Sequence, residues 1–263
     1  MSGEHFAALA IEDLPTPCFV LDRLALARNL AILDRVQRDG GARVLLALKA
    51  FASPCLADQL MSTLAGTAAS GLFEARLGRE RFGGEVHTFS VAFRSDELEQ
   101  VLTLSDHVIF NSAGQWQRFA AHAADRGVSV GLRVNPRQGA APDPLYDPCA
   151  PRSRLGAVAD SLQGLDFEAL SGLHVHALCE QGLAPLERTV TALEERFPAL
   201  LERARWLNLG GGHLITEPGY DVARLVAVDR RACRASPGAG LSGTGRSRRL
   251  RRRCSGYRSS RYN

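Results

Sequence analysis

No apolar run in the 263-residue sequence approaches the ~20 residues that a helix needs to cross a bilayer. The N-terminal stretch MSGEHFAALAIEDLPTPC has acidic residues where a secretion signal would have lysines, and it lacks a long apolar region. None of the six cysteines belongs to a Cys-x-x-Cys pair, which argues against a zinc knuckle and is typical of reduced thiols. These absences exclude a membrane-spanning class and predict a cytoplasmic protein without a metal site.

Lysine is absent from the strongly basic segment 229–263. This segment holds 11 arginines and one acidic residue, a net charge of +10, and leaves the other residues with 21 bases, 27 acids and a net charge of −6. A tail that neutralises nucleic-acid phosphates is one interpretation. Such tails usually interleave lysine or aromatic residues, whereas this one has only Tyr257 and Tyr262. The composition therefore argues against a nucleic-acid partner.

Short apolar runs alternate with stretches of helical periodicity, and 45% of the residues are hydrophobic, enough for a sizeable core. This alternation predicts βαβ units and a parallel sheet. A (β/α)8 barrel has eight strands in about 250 residues. We therefore predict an incomplete α/β barrel of this type, with an open doubly wound sheet as the alternative. The seven candidate strands are 43–50, 66–70, 85–93, 107–112, 128–136, 170–178 and 205–212. The clearest helical patterns are LFEARLGRERFG, SAGQWQRFAAHAADRG and LAPLERTVTALEERFPALLERA.

Lys49 stands near the end of the first candidate strand, in LLALKAF, with apolar residues on both sides. A buried ammonium group is costly unless it is paired or neutralised. The structural interpretation is a lysine at a strand end whose amine reaches solvent. The functional interpretation is a Schiff-base lysine, which needs a lowered pKa and a position at the catalytic end of the barrel.

His174 and His176 are two residues apart in SGLHVHALCE, so on a strand both side chains point to one face. Two interior histidines with ordinary hydrogen bonds are one interpretation. A metal pair is another, but no third ligand is spaced to help. In a third interpretation, one imidazole stacks on a flat cofactor ring.

Gly210, Gly211 and Gly212 directly follow the last candidate strand, in NLGGGH. Consecutive glycines let backbone N–H groups converge on an anion, and phosphate is the usual anion at such a turn in a barrel. The motif is not Gly-x-Gly-x-x-Gly, so it does not indicate a dinucleotide site. A lysine for a Schiff base, a histidine for ring stacking and a glycine turn for phosphate together fit pyridoxal phosphate.

The sequence also resembles the fold-type III pyridoxal-phosphate decarboxylases, whose barrel is of the alanine-racemase type. Within that family it is most similar to the carboxynorspermidine (carboxyspermidine) decarboxylase branch. LYDPCAPRSRLG and HALCE distinguish this branch from the ornithine and diaminopimelate decarboxylases. The matching motifs run in order from about residue 15 to 228: TPCFVLD, LALKAFA, GTAASGLFEARLG, HVIFNSAGQWQRF, GLRVNP, LYDPCAPRSRLG, GLHVHALCE and WLNLGGGHLIT.

The resemblance implies a role for each matching residue. Lys49 would bind the cofactor covalently, His174 would stack on the pyridine ring, and the glycines at 210–212 would hold the phosphate. Arg133, in LRVNP, matches an arginine near the cofactor, and Glu74 matches a glutamate behind the site. Three residues of the branch-specific segment are candidates for the substrate pocket: His176, Cys179 and Glu180.

The implied reaction removes CO2 from carboxynorspermidine or carboxyspermidine and gives norspermidine or spermidine, a step of polyamine biosynthesis, in a homodimer. Two alternatives stay open. One is another fold-type III enzyme, such as a diaminopimelate-type decarboxylase or an amino-acid racemase. The other is a non-catalytic barrel that binds pyridoxal phosphate.

The resemblance stops at about Val228. Members of the family continue with an eighth strand, which has a LEPGE-type motif, and with a second β domain; neither is recognisable here. We therefore expect a barrel domain at 1–228, a disordered segment at 229–263, little or no activity, and loss of the homodimer. Residues 240–249, GLSGTGRSRR, can be back-translated so that a shifted frame contains Leu-Glu-Pro-Gly-Glu, and our hypothesis for this segment is a frameshift.

Overall fold

The computed structural model describes residues 10–139, 141 and 143–235, and the backbone of residues 253–255. Helices alternate with short parallel strands along the chain. The strands are β1 (Ala42–Arg43), β2 (Leu45–Ala47), β3 (Gly66–Ala69), β4 (Glu85–Phe89), β5 (His107–Phe110), β6 (Ser129–Arg133), β7 (Gly172–His174), β8 (Trp206–Asn208) and β9 (Arg253–Ser255). The helices are α1 (Arg23–Gly40), α2 (Ala57–Met61), α3 (Leu72–Leu77), α4 (Ser95–Leu104), α5 (Ala113–Asp125), α6 (Leu183–Arg196), α7 (Pro198–Arg203) and α8 (Val222–Arg234).

The described strands form one parallel sheet in the order β1-β9-β8-β7-β6-β5-β4-β3-β2. Only Val44 separates β1 from β2, and its N–H donates to the Gln37 side chain of α1 at 2.9 Å. The two strands are thus halves of one extended segment, so the sheet curls back on itself as in a (β/α)8 barrel. This confirms the predicted α/β barrel class, and each of the seven predicted segments contains a strand.

A short strand occupies the eighth position of the barrel. β9 pairs with β8, where Arg253 lies opposite Trp206, and with β1, where Cys254 lies opposite Ala42. This pairing covers two edges that would otherwise be exposed. The sequence led us to expect an incomplete barrel and a disordered segment at 229–263. Within that segment, the structure describes residues 229–235, which include the end of α8, and the strand β9. The prediction for residues 236–252 and 256–263 lies outside the described residues.

The longest predicted helix is interrupted by a proline. The pattern LAPLERTVTALEERFPALLERA forms α6 and α7, with the break at Phe197. Proline lacks an N–H and disfavours the helical conformation of the residue before it, so α6 ends there. Pro198 then lies in the first turn of α7, where the missing N–H costs little. Among the described residues, no helix is long and apolar enough to cross a membrane.

The apolar core lies between the sheet and the surrounding helices, where Val108, Val130 and Leu173 are fully buried. Inside the barrel, an indole fills much of the space. Trp206 Nε1 donates to Ser129 Oγ at 2.9 Å, and a Cβ added at Gly131 or Gly172 would overlap its ring. The two glycines are therefore what makes room for Trp206 in the lumen.

Candidate active site

A cavity of about 480 Å3 opens beside the carboxyl-terminal ends of the strands. Its volume is within the range of small-molecule sites, and this end of a barrel is where active sites lie. The lining includes five of the ten residues that the sequence singled out for the site, namely Lys49, Arg133, His174, His176 and Cys179. The fold thus brings together residues that are up to 130 positions apart in the chain.

Lys49 lies in the turn directly after β2, and its side chain is accessible from the cavity. It is the only lysine among the chain's 32 lysine and arginine residues. A guanidinium is not deprotonated in proteins and cannot form a Schiff base, whereas a lysine amine can. A basic residue that only reached towards solvent would not require lysine rather than arginine. The position of the single lysine therefore favours the functional interpretation.

Strands β6 and β7 place a cation and an imidazole side by side, since Arg133 lies opposite His174 in the strand register. Both residues are buried, with 4% and 2% of their surface exposed. The Arg133 guanidinium lies over the Phe89 ring, 4.9 Å from its centroid, and Nη2 donates to the His176 carbonyl oxygen at 3.2 Å. The His174 ring is 5.4 Å from that of Phe89. These contacts fix a positive charge and a flat polar ring at the cavity wall.

The glycine turn after β8 packs behind His176. Gly210 and Gly212 have φ angles of +76° and +89°, and a Cβ at either position would overlap a backbone carbonyl group of the preceding βα loop. The Gly210 N–H donates to Asn208 Oδ1 at 2.8 Å, and the Gly211 N–H donates to His176 Nδ1 at 3.3 Å. The glycines are not among the residues that line the cavity. An anion at this turn would have to compete with both hydrogen bonds.

Besides the glycines, two predicted site residues lie outside the cavity lining. Glu74, on α3, accepts a hydrogen bond from the N–H of Ser70 at 2.8 Å, and Ser70 is part of the lining. Glu74 therefore holds the wall in place from behind. Glu180 is exposed, with a φ of +51°, in the turn next to Cys179.

The sequence did not single out several residues of the lining. Ser70 and Phe89 stand at or just beyond the carboxyl ends of β3 and β4, where the barrel rule places site residues. Ser70 also ends its predicted strand, whereas Phe89 lies inside the longer predicted strand 85–93. Tyr146 comes from the LYDPCAP loop, where no periodicity indicates which side chain turns inward. The remaining lining residues are Ser90, Val91, Pro148, Leu155 and Leu178.

Burial sets the protonation of two groups at the edge of the site. Desolvation lowers the pKa of His213, next to the glycine turn, to about 4, so its imidazole is neutral at neutral pH. Its Nδ1 lies 3.2 Å from the Tyr220 hydroxyl. Burial and the nearby Asp147 raise the pKa of the Cys149 thiol to about 11, against the opposing effect of Arg133. Cys149 is therefore a protonated thiol and a poor nucleophile at neutral pH.

The fold and the cavity define a class of protein, the barrels of the fold-type III decarboxylases. Diaminopimelate decarboxylase from Helicobacter pylori superimposes with a TM-score of 0.69 at 16% identity, covers 94% of this chain and 64% of that chain, and supports the fold alone. The crystal structure of carboxynorspermidine decarboxylase complexed with norspermidine, from Campylobacter jejuni, superimposes with a TM-score of 0.79. It is 33% identical and covers 93% of this chain and 59% of that chain.

Curated relatives narrow the class. Carboxyaminopropylagmatine decarboxylase from Synechocystis sp. is 44% identical over 219 residues, 83% of this chain and 56% of the relative. Carboxynorspermidine/carboxyspermidine decarboxylase from Campylobacter jejuni is 40% identical over 217 residues, 82% of this chain and 56% of the relative. No family model matches the chain. The chain is a homologue of these decarboxylases, as the motifs indicated, and it spans about half the length of the curated relatives it matches.

Proposed function

We propose that the cavity binds pyridoxal phosphate and that the chain provides the cofactor-binding barrel of a cytoplasmic carboxy-lyase. Its substrate would be a carboxylated polyamine, carboxynorspermidine or carboxyspermidine. The observation that carries the proposal is the position of the chain's only lysine, Lys49, at one cavity with Arg133 and His174. The similarity to decarboxylases of carboxylated polyamines supports the choice of substrate class.

The residues present fit this cofactor. The Lys49 amine would hold its aldehyde carbon, and His174 offers a buried flat ring against which a pyridine could lie. Gly210 and Gly212 have positive φ angles, and the Gly211 N–H donates to His176 Nδ1. An anion that displaced this hydrogen bond would lie directly behind the cavity wall. When bound, pyridoxal phosphate supplies an electron sink for the carbon that loses CO2.

The other residues of the site have roles that follow from charge and position. Arg133 is buried and always cationic, so it favours an anionic group in the cavity. His176 and Cys179 form part of the wall that would contact the substrate, and the exposed Glu180 beside them is suited to an ammonium group of a polyamine. Glu74 acts indirectly, through its hydrogen bond to Ser70.

The matched segment corresponds to 56% of each of the two relatives compared above. We propose that this segment contributes the cofactor-binding part of the site.

Titration of the full chain with pyridoxal phosphate tests the proposal. We expect an absorption band near ~420 nm, typical of a lysine-linked cofactor. Lys49→Arg is the matched variant, because it keeps the positive charge but cannot form the linkage, and it should lack the band. The same band in the variant, or no band in the wild type, would count against the proposal.

Assays of CO2 release distinguish the two decarboxylase candidates. Carboxynorspermidine, carboxyspermidine and diaminopimelate would be compared with the cofactor-loaded chain. Release from diaminopimelate alone would favour the other decarboxylase. A stable band without turnover of any substrate agrees with the expected low activity, and it is also what a non-catalytic cofactor-binding barrel would show.

A further inference from the structure

A second polar cluster lies inside the barrel, at the end opposite the cavity. Glu85 and His87 alternate along β4, so their side chains share one face, and His107 on β5 lies opposite His87 in the strand register. The lumen of a (β/α)8 barrel is usually filled by branched aliphatic side chains. A carboxylate and two imidazoles are costly there unless their polar atoms have a use.

The ligand atoms of this cluster lie close enough together for one ion. His87 and His107 are buried, and their rings are stacked with the centroids 3.9 Å apart. Because the in-plane lone pairs of stacked rings run nearly parallel, one ring would turn when both bind the same ion. His87 Nε2 faces Glu85 Oε2 at 3.2 Å, and one ligand atom from each of the three residues lies within 4.8 Å of the other two. The buried Nδ1 of His87 has no hydrogen-bond partner among the described residues.

Neighbouring side chains hold the cluster in place. The Trp206 ring lies edge-on to His107, with the centroids 5.3 Å apart, and closes the cluster from the lumen. Arg43 Nη1 donates to Glu85 Oε1 at 2.8 Å, which leaves Oε2 as the oxygen that faces His87. A carboxylate with one oxygen held by a neighbouring donor is an arrangement typical of metal ligands.

We propose that Glu85, His87 and His107 bind a divalent transition-metal ion, for which Zn2+ is the best match. Two histidines and one carboxylate form a donor set that zinc uses in proteins.

The bound ion would be structural. The cluster lies at the amino-terminal ends of β4 and β5, away from Lys49, so the ion would join two adjacent strands without contacting the cavity. The proposal departs from the sequence-based expectation of no metal site, and it does not depend on the proposed function.

Cobalt, a spectroscopic substitute for zinc, gives the most direct test. The full chain would be treated with a chelator and titrated with Co2+, with Zn2+ added afterwards as competitor. We expect one Co2+ per chain, visible d–d absorption, no sulfur-to-cobalt charge-transfer band, and displacement by Zn2+. Absence of binding, or a charge-transfer band from the free thiols of Cys18, Cys55, Cys149 or Cys179, would overturn the proposal.

Two variants of one ion pair separate metal binding from packing. Glu85→Gln removes a ligand and breaks the contact with Arg43, whereas Arg43→Gln breaks the same contact and keeps all three ligands. We expect Glu85→Gln to lose Co2+ binding and Arg43→Gln to retain it. Equal binding by the two variants would contradict the proposal.

Thermal unfolding gives a readout for variants that fold poorly. Zn2+ should raise the Tm of the wild type and of the surface variant His122→Gln, but not the Tm of His87→Gln. If His87→Gln does not fold, Glu85→Gln takes its place. A zinc-induced rise in Tm that survives in the ligand variant would refute the site.

Discussion

Burial controls the protonation of single residues next to the glycine turn, and His213 is the clearest case. Its folded pKa of about 4 lies below its ordinary value of 6.5, because its imidazole is desolvated. As the pH falls, the unfolded chain therefore binds a proton first. His213 costs no stability above pH ~6.5, and stability is lost as the pH falls towards 4, by on the order of 3 kcal/mol in total.

His213→Asn tests this acid sensitivity. Asparagine can still reach the Tyr220 hydroxyl from the Nδ1 side, but it does not titrate. We expect the variant to lose less unfolding free energy than the wild type between pH 7 and pH 5, as measured by urea unfolding. An unchanged pH dependence in His213→Asn would contradict the argument.

The pKa of Asp229 is shifted in the opposite direction from that of His213. Burial raises its pKa well above the ordinary value. The carboxylate packs against α1, where a Cβ at Gly40 would lie 3.2 Å from Asp229 Oδ2. Its contribution to stability is therefore fully present below the unfolded pKa and is lost as the pH rises through the folded pKa. We expect Asp229→Asn to be more stable than the wild type at pH 7, by about 1 kcal/mol or more, and nearly equal to it at pH 4. Urea unfolding measures the difference, and the exposed Asp125→Asn is the control. A less stable Asp229→Asn at pH 7 would count against the prediction.

For single residues, the sequence predicted which side chains are reactive better than it predicted which side chains touch. The pattern around Lys49 and the two-residue spacing of His174 and His176 were sufficient to select these residues. The spacing of Glu85 and His87 is equally visible in the sequence, but the third ligand, His107, comes from another strand. Only the strand register brings it to the cluster, so the pattern alone could not reveal a site there.

At the scale of elements, packing in the lumen rests on two glycines. A Cβ at Gly172 would overlap the Trp206 ring, which is held by its hydrogen bond to Ser129. We expect Gly172→Ala to lower the unfolding free energy by roughly 1–3 kcal/mol. Gly114→Ala is the control, because a Cβ there meets nothing within 4 Å and alanine favours the helix.

A double variant identifies the cause of that loss. If the clash with the indole is responsible, replacing Trp206 by leucine should reduce the cost of Gly172→Ala. Equal costs in the Trp206 and Leu backgrounds, measured by urea unfolding, would show that strand geometry and not the ring sets the penalty.

Replacing Cys254, whose backbone N–H lies in β9, tests whether this strand pairs in the sheet. Cys254 lies opposite Leu207 on one side and Ala42 on the other. Cys254→Pro removes the N–H and disfavours pairing within a sheet, whereas Cys254→Ser changes the side chain and keeps the donor. We expect the proline variant to be less stable than the serine variant by about 1 kcal/mol or more. Equal melting temperatures would argue against β9 in solution.

The elements that the sequence predicted are those with a local pattern. The seven strands have apolar runs, and the helices have apolar residues at helical spacing. β9 lies in an arginine-rich segment that resembles no strand, and its pairing depends on the two edges that β1 and β8 present. The break at Phe197 was also missed, although Pro198 is a local signal for it.

In the whole molecule, the two ends of the barrel hold different groups of polar residues. The carboxyl-terminal end has the cavity with Lys49, and the amino-terminal end has the cluster of Glu85, His87 and His107. The chain spans about half the length of its curated relatives, and we propose cofactor capture as the contribution of this barrel to the reaction.

Borohydride reduction of the chain in the presence of pyridoxal phosphate, followed by mass spectrometry of its peptides, tests directly whether the Lys49 amine binds the cofactor. The sequence has one lysine, so the Lys49 amine and the α-amino group are the only amines that reduction can label. We expect a pyridoxyl group on Lys49 at stoichiometric cofactor. Labelling of the α-amino group alone, or no labelling at all, would contradict it.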